Sequence, residues 1–527
     1  MELFDNCLSS LLNELGFCDS EEEIRRKKSS VEFLERLSVR WILDMAMHTS
    51  PNLHFNNRNL PCRIMLQGSA ALGVSCASSD VDAVLIVPNF VDRDDFFVSF
   101  PDYLKIQKDV TDVVAVPETL VPLIRMSVSG VRIDLVISRL SSPYVPAHID
   151  FEQPLEDLYR GMDLVSVRSL SGVHLAQEVK KLTNGFPLFP RLLRIVRAWV
   201  SARAIGSYVY GFPPNIAWVI LVVYVCKRMA NHEESMQKSG FCICKHTDVN
   251  TRSSGFISVH ISDNQHPHSS SSSSGTIGGT GEHSLSCLIH AFFALFATWP
   301  WPHPVQIAPI KVVPDLGIFS WDPQRNIQDE RDLMPIITPV FPNKNVSFSV
   351  RQVTKKIVTD ELQRGLRIVT DILHGQAKWT DLLERYDVRN HYRHFILLTL
   401  NAVSREELNV VGGLVDSRLR DLAQLLEDNA YIHSTRISPV QSSHSSNLSG
   451  TPAQLDSNPR RQWLVAMDIE PGPVLPSGGR GPRPVNITNC LSMFYQILRE
   501  RDAYTNFGEK LTHVYLKRPQ TVHFRLY

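Results

Sequence analysis

The sequence predicts an α+β protein of several domains, and three observations support this prediction. The segments VDAVLIVP (81–88) and VRIDLVISRL (131–140) have the apolar, β-branched composition of buried strands. Helical patterns dominate from about residue 157 to 229. Strand and helix patterns then alternate from HFILLTL to the final HVYLKRPQTVHFRLY, as in a compact α+β domain. A chain of 527 residues, 43% of them hydrophobic, can bury several cores.

The elements follow one another in a clear order. Helical patterns fill residues 1–49, and strands with short connections follow from Ile64 to Leu140. After the helices of 157–229 comes a segment of about 231–281 that contains SSSSSSGTIGGTG, which is too polar to bury a core, so we expect a disordered insertion. A later helix pattern, SVRQVTKKIVTDELQRGLRIVTDILHG, ends at Gly375, where a C-cap glycine is expected.

Composition limits the classes of function. Lys and Arg total 54 and Asp and Glu total 54, so nucleic-acid binding would need a local basic face. The 9 cysteines show no tight spacing pattern, which favours reduced thiols in the cytosol or nucleus. No apolar run reaches the roughly 20 residues that a membrane helix needs, so we expect a soluble chain without membrane contact.

The stretch LQGSAALGVSCASSDVDAVLIVP (66–88) carries the chemistry. Side chains alternate along a strand, so Asp80 and Asp82 point the same way and Val81 the other way. Two adjacent carboxylates repel each other unless a divalent cation bridges them, and Mg²⁺ prefers such oxygen ligands together with substrate phosphates. Upstream, Gly68 allows a ligand close to the backbone, and Ser69 offers its hydroxyl and N–H to phosphate at the start of a short helix.

A two-metal site needs a third carboxylate. Asp134, in VRIDLV, is the acidic residue of a second buried-looking strand, and we assign it this role. An isolated Asp-x-Asp usually marks a turn, a cap or a solvated strand end. A glycosyltransferase can also use this motif, but it requires neither the Gly-Ser turn nor the third carboxylate.

These residues resemble the nuclear, mRNA-type poly(A) polymerases of eukaryotes, in the DNA polymerase β-like nucleotidyltransferase superfamily. The Gly-Ser and Asp-Val-Asp signature is shared by the superfamily. Several segments along nearly the whole chain resemble this family in particular: NFVDRDDFFVSF (89–100), LVPLIRMSVSGVRIDLVISRL (120–140), VRSLSG (167–172), WPHPVQI (301–307), MPIITPVFP (334–342) and GLVDSRLRDL (413–422).

The resemblance implies three domains. Residues 50–140 would form the nucleotidyltransferase palm, a mixed sheet with helices. Residues 141–338 would form a helical central domain, against which the N-terminal helices of 1–49 pack. Residues 339–527 would form an RRM-like α+β domain that binds RNA.

The resemblance also implies an activity: a template-independent polynucleotide adenylyltransferase, in which the RNA 3′-hydroxyl attacks the α-phosphate of ATP and pyrophosphate leaves. Asp80, Asp82 and Asp134 match the family's catalytic metal ligands, which hold two Mg²⁺ ions, with Mn²⁺ as an alternative. The implied nucleotide site combines these three aspartates with eight further residues: Gln67, Gly68, Ser69, Val81, Ser171, Arg197, Asn215 and Ile216.

The departures from the family pattern lie around the base and sugar. Gln67 replaces an aromatic residue and Ser171 an asparagine. Arg197, in contrast, stands where the family has a lysine that contacts the triphosphate, so the positive charge is retained. Gly206 stands at a tyrosine position, for which Tyr208 could substitute, and Pro214-Asn215 replaces a Gly-Gly pair. A terminal uridylyltransferase or CCA-type enzyme therefore stays open as an alternative, as does a catalytically silent RNA-binding scaffold.

The last stretch of the chain is basic and lacks the paired aromatics with which RRM sheets stack bases, which favours contact with the RNA backbone. The residues concerned are Arg499, Arg501, Lys510, Lys517, Arg518 and Arg525. The resemblance further implies a nuclear monomer that works with 3′-processing proteins. The Ser/Thr-rich basic tail of longer family members, with its regulatory and import signals, is expected to be absent.

Overall fold

A computed structural model describes residues 8, 10–117, 121–239, 284–440, 459–472, 485–501, 504–505 and 510–521, with only the backbone of 231–239. Within these residues no helix is both long and apolar enough to cross a bilayer. The six described cysteines that can be assessed carry free thiols.

The N-terminal part of the chain builds a mixed sheet. Its strands are β1 (Asn59–Leu60), β2 (Arg63–Leu66), β3 (Val81–Val87), β4 (Val110–Val116), β5 (Leu123–Val128), β6 (Val131–Arg139) and β7 (Val145–Pro146). Five of them form the palm sheet in the order β2-β3-β6-β5-β4, and β1 pairs with β7 separately. Strands β3 and β6 run parallel, while the other neighbours in the palm sheet are antiparallel.

Helices cover both faces of this sheet. They are α1 (Glu21–Thr49), α2 (Gly68–Ala71), α3 (Arg93–Phe97), α4 (Ser99–Lys105), α5 (Leu155–Tyr159) and α6 (Leu164–Leu182). Because side chains alternate along β3, Ala83 and Leu85 are buried on one face while Val84 and Ile86 are buried on the other. The first face packs against α1 and the second against α6.

Helix α1 packs on the palm sheet. The prediction that the N-terminal helices pack against the central domain is therefore wrong for this helix. Its apolar stripe, including Leu34, Leu37 and Trp41, shares one core with the palm strands. The Trp41 and Phe100 rings lie 4.6 Å apart between centroids, so the helix covers apolar surface that would otherwise face water. Leu8 and Leu12, which precede this helix, belong to the core of the central domain, and Leu11 and Phe17 pack against it.

The central domain is helical. Its helices are α7 (Phe189–Ala202), α8 (Asn215–Ser239), α9 (Leu285–Ala297), α10 (Ile327–Glu330), α11 (Gln352–Leu373), α12 (Trp379–Leu382) and α13 (Val388–His391). Gly365 of α11 packs so closely on α9 that a Cβ there would lie 2.2 Å from the Phe293 ring. The glycine therefore allows these two helices to approach each other.

Two predicted domain boundaries lie too early in the chain. Helix α11, which was assigned to the C-terminal domain, buries Val358, Leu362 and Val369 in the central core, so that core extends past residue 338. Helix α6, which was assigned to the central domain, buries Val167 and Leu170 against the palm sheet. In both cases a helical pattern shows which face is apolar but not which neighbouring surface covers it.

The C-terminal domain contains β8 (His394–Asn401), α14 (Arg405–Glu427), β9 (Ile432–Val440), β10 (Arg460–Ile469), α15 (Thr488–Arg499) and β11 (Leu511–Lys517). Its antiparallel sheet has the order β11-β8-β10-β9, which with its two helices gives the βαββαβ arrangement of ferredoxin-like folds. One sheet face packs on α14 and α15. On the other face Phe395 and Leu464 are covered by Val388 and Tyr392.

The predicted insertion at about 231–281 lies mostly outside the described residues. Its first residues, to Ser239, continue helix α8. Helix α11 ends at Leu373, and Gly375 follows with a φ of +74°, the left-handed conformation expected of a glycine just after a helix.

Candidate active site

Two of the predicted carboxylates lie side by side across the palm sheet. In the strand register, Asp82 of β3 is beside Asp134 of β6, and Asp134 is opposite Arg125 of β5. Asp80 precedes Asp82 by two residues, and Val81 between them is buried in the core under α1. Because side chains alternate, Asp80 and Asp82 leave the chain on the opposite face from Val81.

The electrostatics of the site show that the three carboxylates influence one another. Burial raises the pKa of Asp82 to about 6, and the negative charges of Asp134 and Asp80 add to this shift. Burial also raises the pKa of Asp80, although Arg132 opposes the shift. Such a group of carboxylates gains stability from a cation that neutralises it.

Gly68 brings the Gly-Ser turn against Asp82, the central one of the three carboxylates; Asp80 and Asp134 are the outer two. Gly68 has a φ of +60°, and a Cβ at this position would lie 2.6 Å from Asp82 Oδ2. The backbone N–H of Gln67 donates to the Asp82 carbonyl at 3.0 Å. Ser69 follows inside the short helix α2, so the predicted phosphate turn lies next to the carboxylates.

Two arginines from the β5–β6 hairpin contact the outer carboxylates. Arg125 donates to both oxygens of Asp134, with both bonds at 2.9 Å. Arg132 Nε lies 2.7 Å from Asp80 Oδ1, and its guanidinium also donates to the Ser78 carbonyl at 2.7 Å. The Arg132–Asp80 contact is an ion pair that lacks hydrogen-bond geometry. Asp80 Oδ1 is therefore buried without a hydrogen-bond partner.

The donor set of the site fits a divalent cation that prefers oxygen ligands. It combines a buried carboxylate oxygen without a donor, a carboxylate with a raised pKa and a glycine that leaves room beside it. As they stand, no three His, Cys, Asp or Glu side chains of the described residues form a ready metal cage. Arg125 and Arg132 lie against the outer two carboxylates of the set instead.

Gln67 and Ser171 lie at the contact between α2 and α6. The Gln67 side chain packs on Gly172 so closely that a Cβ on this glycine would lie 1.9 Å from Gln67 Oε1. The Ser171 hydroxyl donates to the Arg168 carbonyl of its own helix at 2.7 Å. Gln67 therefore lies between the Gly-Ser turn and α6.

Arg197 is hydrogen-bonded to the loop that joins helix α2 to Asp80. It donates to the Val74 carbonyl, and Arg194, one helical turn earlier, donates to the Gly73 carbonyl at 2.6 Å. Burial lowers the pKa of Arg197, and the charge of Asp82 acts in the opposite direction. The structure thus brings Arg197 near the carboxylates, while its predicted contact with the triphosphate stays a prediction.

Asn215 and Ile216 begin helix α8 on the central domain. Asn215 is exposed, and a Cβ on Gly206 would lie 3.4 Å from its Oδ1. Two of the positions that depart from the family pattern are therefore neighbours. Tyr208 lies nearby in the chain with 55% of its surface exposed.

Reasoning from the sequence missed Arg125, although a local signal was present. Ser129 and Gly130 have φ values of +50° and +75°, which a two-residue type I′ hairpin turn requires. Such a turn fixes the register, so the position five residues before Gly130 must face the position four residues after it. The hairpin therefore places Arg125 opposite Asp134.

Reasoning from the sequence also missed a second group of residues. This group contacts the loop between α2 and Asp80 from the side of α1. Lys27 of α1, 8% exposed, donates to Asp19 and, at 2.8 Å, to the Cys76 carbonyl. The Ser75 hydroxyl donates to Asp19. In the sequence Lys27 belongs to the charge run EEEIRRKK (21–28), which resembles a solvated helix face.

Comparison with protein-family models identifies two segments. The model of the poly(A) polymerase nucleotidyltransferase domain matches residues 4–183, and that of the poly(A) polymerase central domain matches residues 282–385. The first match reaches the end of α6 and the second extends past α11, in agreement with the packing of these helices.

Curated relatives include two fungal enzymes. Poly(A) polymerase PAPa of Candida albicans is 26% identical over 428 residues, which cover 81% of this chain and 67% of that protein. Poly(A) polymerase pla1 of Schizosaccharomyces pombe is 27% identical over 427 residues, which cover 80% and 66%. The chain thus spans about two thirds of the length of these relatives.

Solved structures with a low similarity to this chain include a cytoplasmic RNA terminal U-transferase and the Cid1 poly(U) polymerase in its MgGTP-bound form. The first is 14% identical, covers 73% of this chain and 100% of its own, and has a TM-score of 0.45. The second is 14% identical, covers 73% and 99%, and has a TM-score of 0.44. Similarity at this level gives no information about substrate.

The two matched models describe domains of one family and together span just over half of the chain. The curated relatives carry the same family name over most of its length. The chain therefore belongs to the eukaryotic poly(A) polymerases, the polynucleotide adenylyltransferases that extend RNA 3′ ends without a template.

Proposed function

We propose that this chain transfers AMP from ATP to the 3′ end of RNA. The 3′-hydroxyl oxygen attacks the α-phosphorus, the bond to the bridging oxygen breaks, and pyrophosphate leaves. The observation that supports this best is the register of Asp82 beside Asp134, with Gly68 against the Asp82 carboxylate. This register supports a phosphate turn beside paired carboxylates in a nucleotidyltransferase domain of the poly(A) polymerase family.

Asp80 and Asp82 would hold two Mg²⁺ ions, or Mn²⁺, and Asp134 would complete the ligand set near the attacking 3′-hydroxyl. When bound, the metal ions lower the pKa of that hydroxyl and stabilise the charge that develops on the phosphate. Asp134 accepts the proton of the 3′-hydroxyl. Gly68 and Ser69 offer backbone N–H groups to the phosphates, and Arg197 contributes positive charge beside them.

The base site is formed by Gln67, Ser171, Asn215 and Ile216, with Tyr208 in place of the family's tyrosine. These positions line the boundary between palm and central domain. The side chain of Val81, which was also predicted for the nucleotide site, is buried under α1 and does not face this site. The pairing of Gly206 with Asn215 differs from the family pattern, and it favours a second candidate: the same transfer with another base, as in terminal uridylyltransferases or CCA-type enzymes.

The C-terminal domain contacts the sugar-phosphate backbone of the RNA. It does not stack RNA bases on its sheet. The sheet face opposite the two helices is covered by Val388 and Tyr392. Several of the six basic residues are engaged within the protein: Lys510 pairs with Glu407, Arg518 donates to the Tyr392 carbonyl at 2.8 Å, and Arg499 is also engaged. Arg525 lies outside the described residues. The exposed Lys517 is available for phosphate.

The RRM-like character of this domain agrees with its βαββαβ order. The enzyme acts in the nucleus as a monomer, together with proteins of 3′ processing. The expression of a tagged chain would test this location: a protein confined to the cytoplasm would contradict it.

Primer extension tests the proposed reaction. The full chain is incubated with a short labelled RNA, Mg²⁺ and each nucleoside triphosphate separately, with an Asp80→Ala/Asp82→Ala double variant as the control. We expect long products with ATP alone and a loss of several orders of magnitude in the double variant.

The other outcomes separate the alternatives. Extension with UTP, or with all four nucleotides, would move base selection to Gln67, Ser171 and Gly206. RNA binding without any extension would identify a scaffold and overturn the proposed reaction. Extension that persists in the double variant would overturn the assignment of the aspartates.

A further inference from the structure

Each outer carboxylate of the site is in contact with an arginine. Arg125 makes two bonds of 2.9 Å to Asp134, and Arg132 lies 2.7 Å from Asp80. Both arginines come from the β5–β6 hairpin, on the same face as the carboxylates. The central carboxylate, Asp82, has no ion pair among the described residues.

The arginines are more exposed than the carboxylates that they contact. The side chain of Arg125 is 58% exposed and that of Asp134 is 16% exposed. Arg132 is 63% exposed and Asp80 is 41% exposed. An arginine that reaches its partner from solvent can swing away at small cost, because exposed ion pairs contribute little net free energy. The buried carboxylate, in contrast, needs a positive partner at all times.

We propose that Arg125 is an exchangeable internal counterion, which occupies Asp134 in the metal-free enzyme and is displaced when the metal binds. The inference rests on the proposed function, because it takes Asp134 as a metal ligand. Arg125 neutralises and orients the carboxylate in the meantime. The metal must therefore compete with a bound guanidinium, and this competition lowers the apparent metal affinity.

The geometry of the hairpin supports an exchange and not a permanent structural pair. The register alone brings the two side chains face to face, and the Arg125 guanidinium makes no other hydrogen bond that the structure records. The Arg132 guanidinium, in contrast, also donates to the Ser78 carbonyl, which ties it to the loop before Asp80. Arg125 is thus the arginine that can leave without breaking a second contact.

The experiment measures binding of Mn²⁺ alone to the full chain, without nucleotide, from the electron paramagnetic resonance signal of free Mn²⁺. The variants are Arg125→Gln, Arg125→Lys, Asp82→Ala and, as the matched control, Arg139→Gln. Arg139 lies on β6, the strand that carries Asp134, and it pairs with Asp92 at 2.7 Å. It is roughly 16 Å along the strand from Asp134, so it carries the same charge away from the site.

We expect the Kd for Mn²⁺ to fall about fivefold in Arg125→Gln, the effect of losing one partly exposed ion pair that competes with the metal. Arg125→Lys should give a smaller decrease, because an ammonium cannot make the two-bonded contact. Arg139→Gln should bind as the wild type does. Melting curves in EDTA check that each variant is folded.

An unchanged or higher Kd in Arg125→Gln would overturn the counterion, as would an equal gain in Arg139→Gln, which would indicate a general charge effect. Failure of the proposed function has a different signature. In that case the wild type and Asp82→Ala would bind Mn²⁺ equally well, because the metal would not lie at the aspartates.

Discussion

At the scale of single residues, the site depends on a glycine that combines two properties. Gly68 has a positive φ, which side chains rarely tolerate, and it lies against Asp82 with no room for a Cβ. The same turn contains Gly73, with a φ of +67° and no atom within 4 Å of where its Cβ would lie. The two glycines thus share the backbone requirement and differ in the contact.

Substitution of these two glycines separates strain from contact. Gly68→Ala should lower the rate of extension at least about 100-fold, since displacing a catalytic group by about 1 Å has an effect of this size. Gly73→Ala should retain the wild-type rate within a factor of about three and lose about 1 kcal/mol of stability, the ordinary cost of a side chain at positive φ. Single-turnover extension rates and melting curves measure both effects. Equal losses of rate in the two variants would show that backbone strain, and not the contact with Asp82, is what matters.

At the scale of elements, the loop between α2 and β3 is held from two helices. Helix α7 grips it through Arg194 and Arg197, which donate to the Gly73 and Val74 carbonyls. Helix α1 grips it through Lys27, which donates to the Cys76 carbonyl and to Asp19. Because this loop leads directly into Asp80, both helices contribute to the position of the carboxylates.

Removal of the α1 contact should loosen the loop. In Lys27→Met we expect about tenfold slower extension, a lower affinity for Mn²⁺ and a loss of about 3 kcal/mol of stability, because Asp19 then keeps the Ser75 hydroxyl but is buried without a positive partner. Extension rates, Mn²⁺ titration and melting curves provide these quantities.

Two further variants sharpen this test. Lys28→Met, at a neighbouring position that is 75% exposed, should behave as the wild type. Asp19→Asn in the Lys27→Met background should recover part of the stability but not the Mn²⁺ affinity, since the bond to Cys76 stays absent. Recovery of both quantities together would show that Lys27 serves stability alone.

At the scale of the whole molecule, the C-terminal domain is anchored to the central domain by buried charge. Arg351, just before α11, pairs with Glu427 at the end of α14, with side chains 9% and 7% exposed. Glu427 also accepts a bond from the Thr435 hydroxyl at 2.5 Å. The segment around Val388 and Tyr392 covers the adjacent sheet face. The two domains are therefore joined by a buried ion pair.

Loss of this pair should free the C-terminal domain. Glu427→Gln keeps an acceptor for Thr435 but leaves the Arg351 charge buried and unpaired, so we expect a loss of about 3 kcal/mol and faster proteolysis between the domains. Limited proteolysis and melting curves measure the effect. Asp360→Asn removes an exposed partner, in a pair with side chains 77% and 57% exposed, and should change neither quantity. A protease-resistant Glu427→Gln protein would contradict the anchoring role.

The sequence by itself determined the strands, the order of the catalytic motifs and the family. These depend on local patterns: β-branched runs, the alternation that puts Asp80 and Asp82 on one face, and the Gly-Ser turn. The predicted family and the α+β fold class with a palm and a central domain are confirmed. The assignment of individual site residues stays a prediction that the measurements above can test.

The tertiary structure decided which surfaces meet. The packing of α1 on the palm, the extension of the central domain through α11 and the covered sheet face each depend on contacts between segments far apart in the chain. An amphipathic pattern shows that a face must be buried, but apolar contact is not directional, so the pattern does not name the partner. For the same reason, the sequence does not show that Lys27 contacts the Cys76 carbonyl. This contact exists only when the loop before Asp80 is folded against α1.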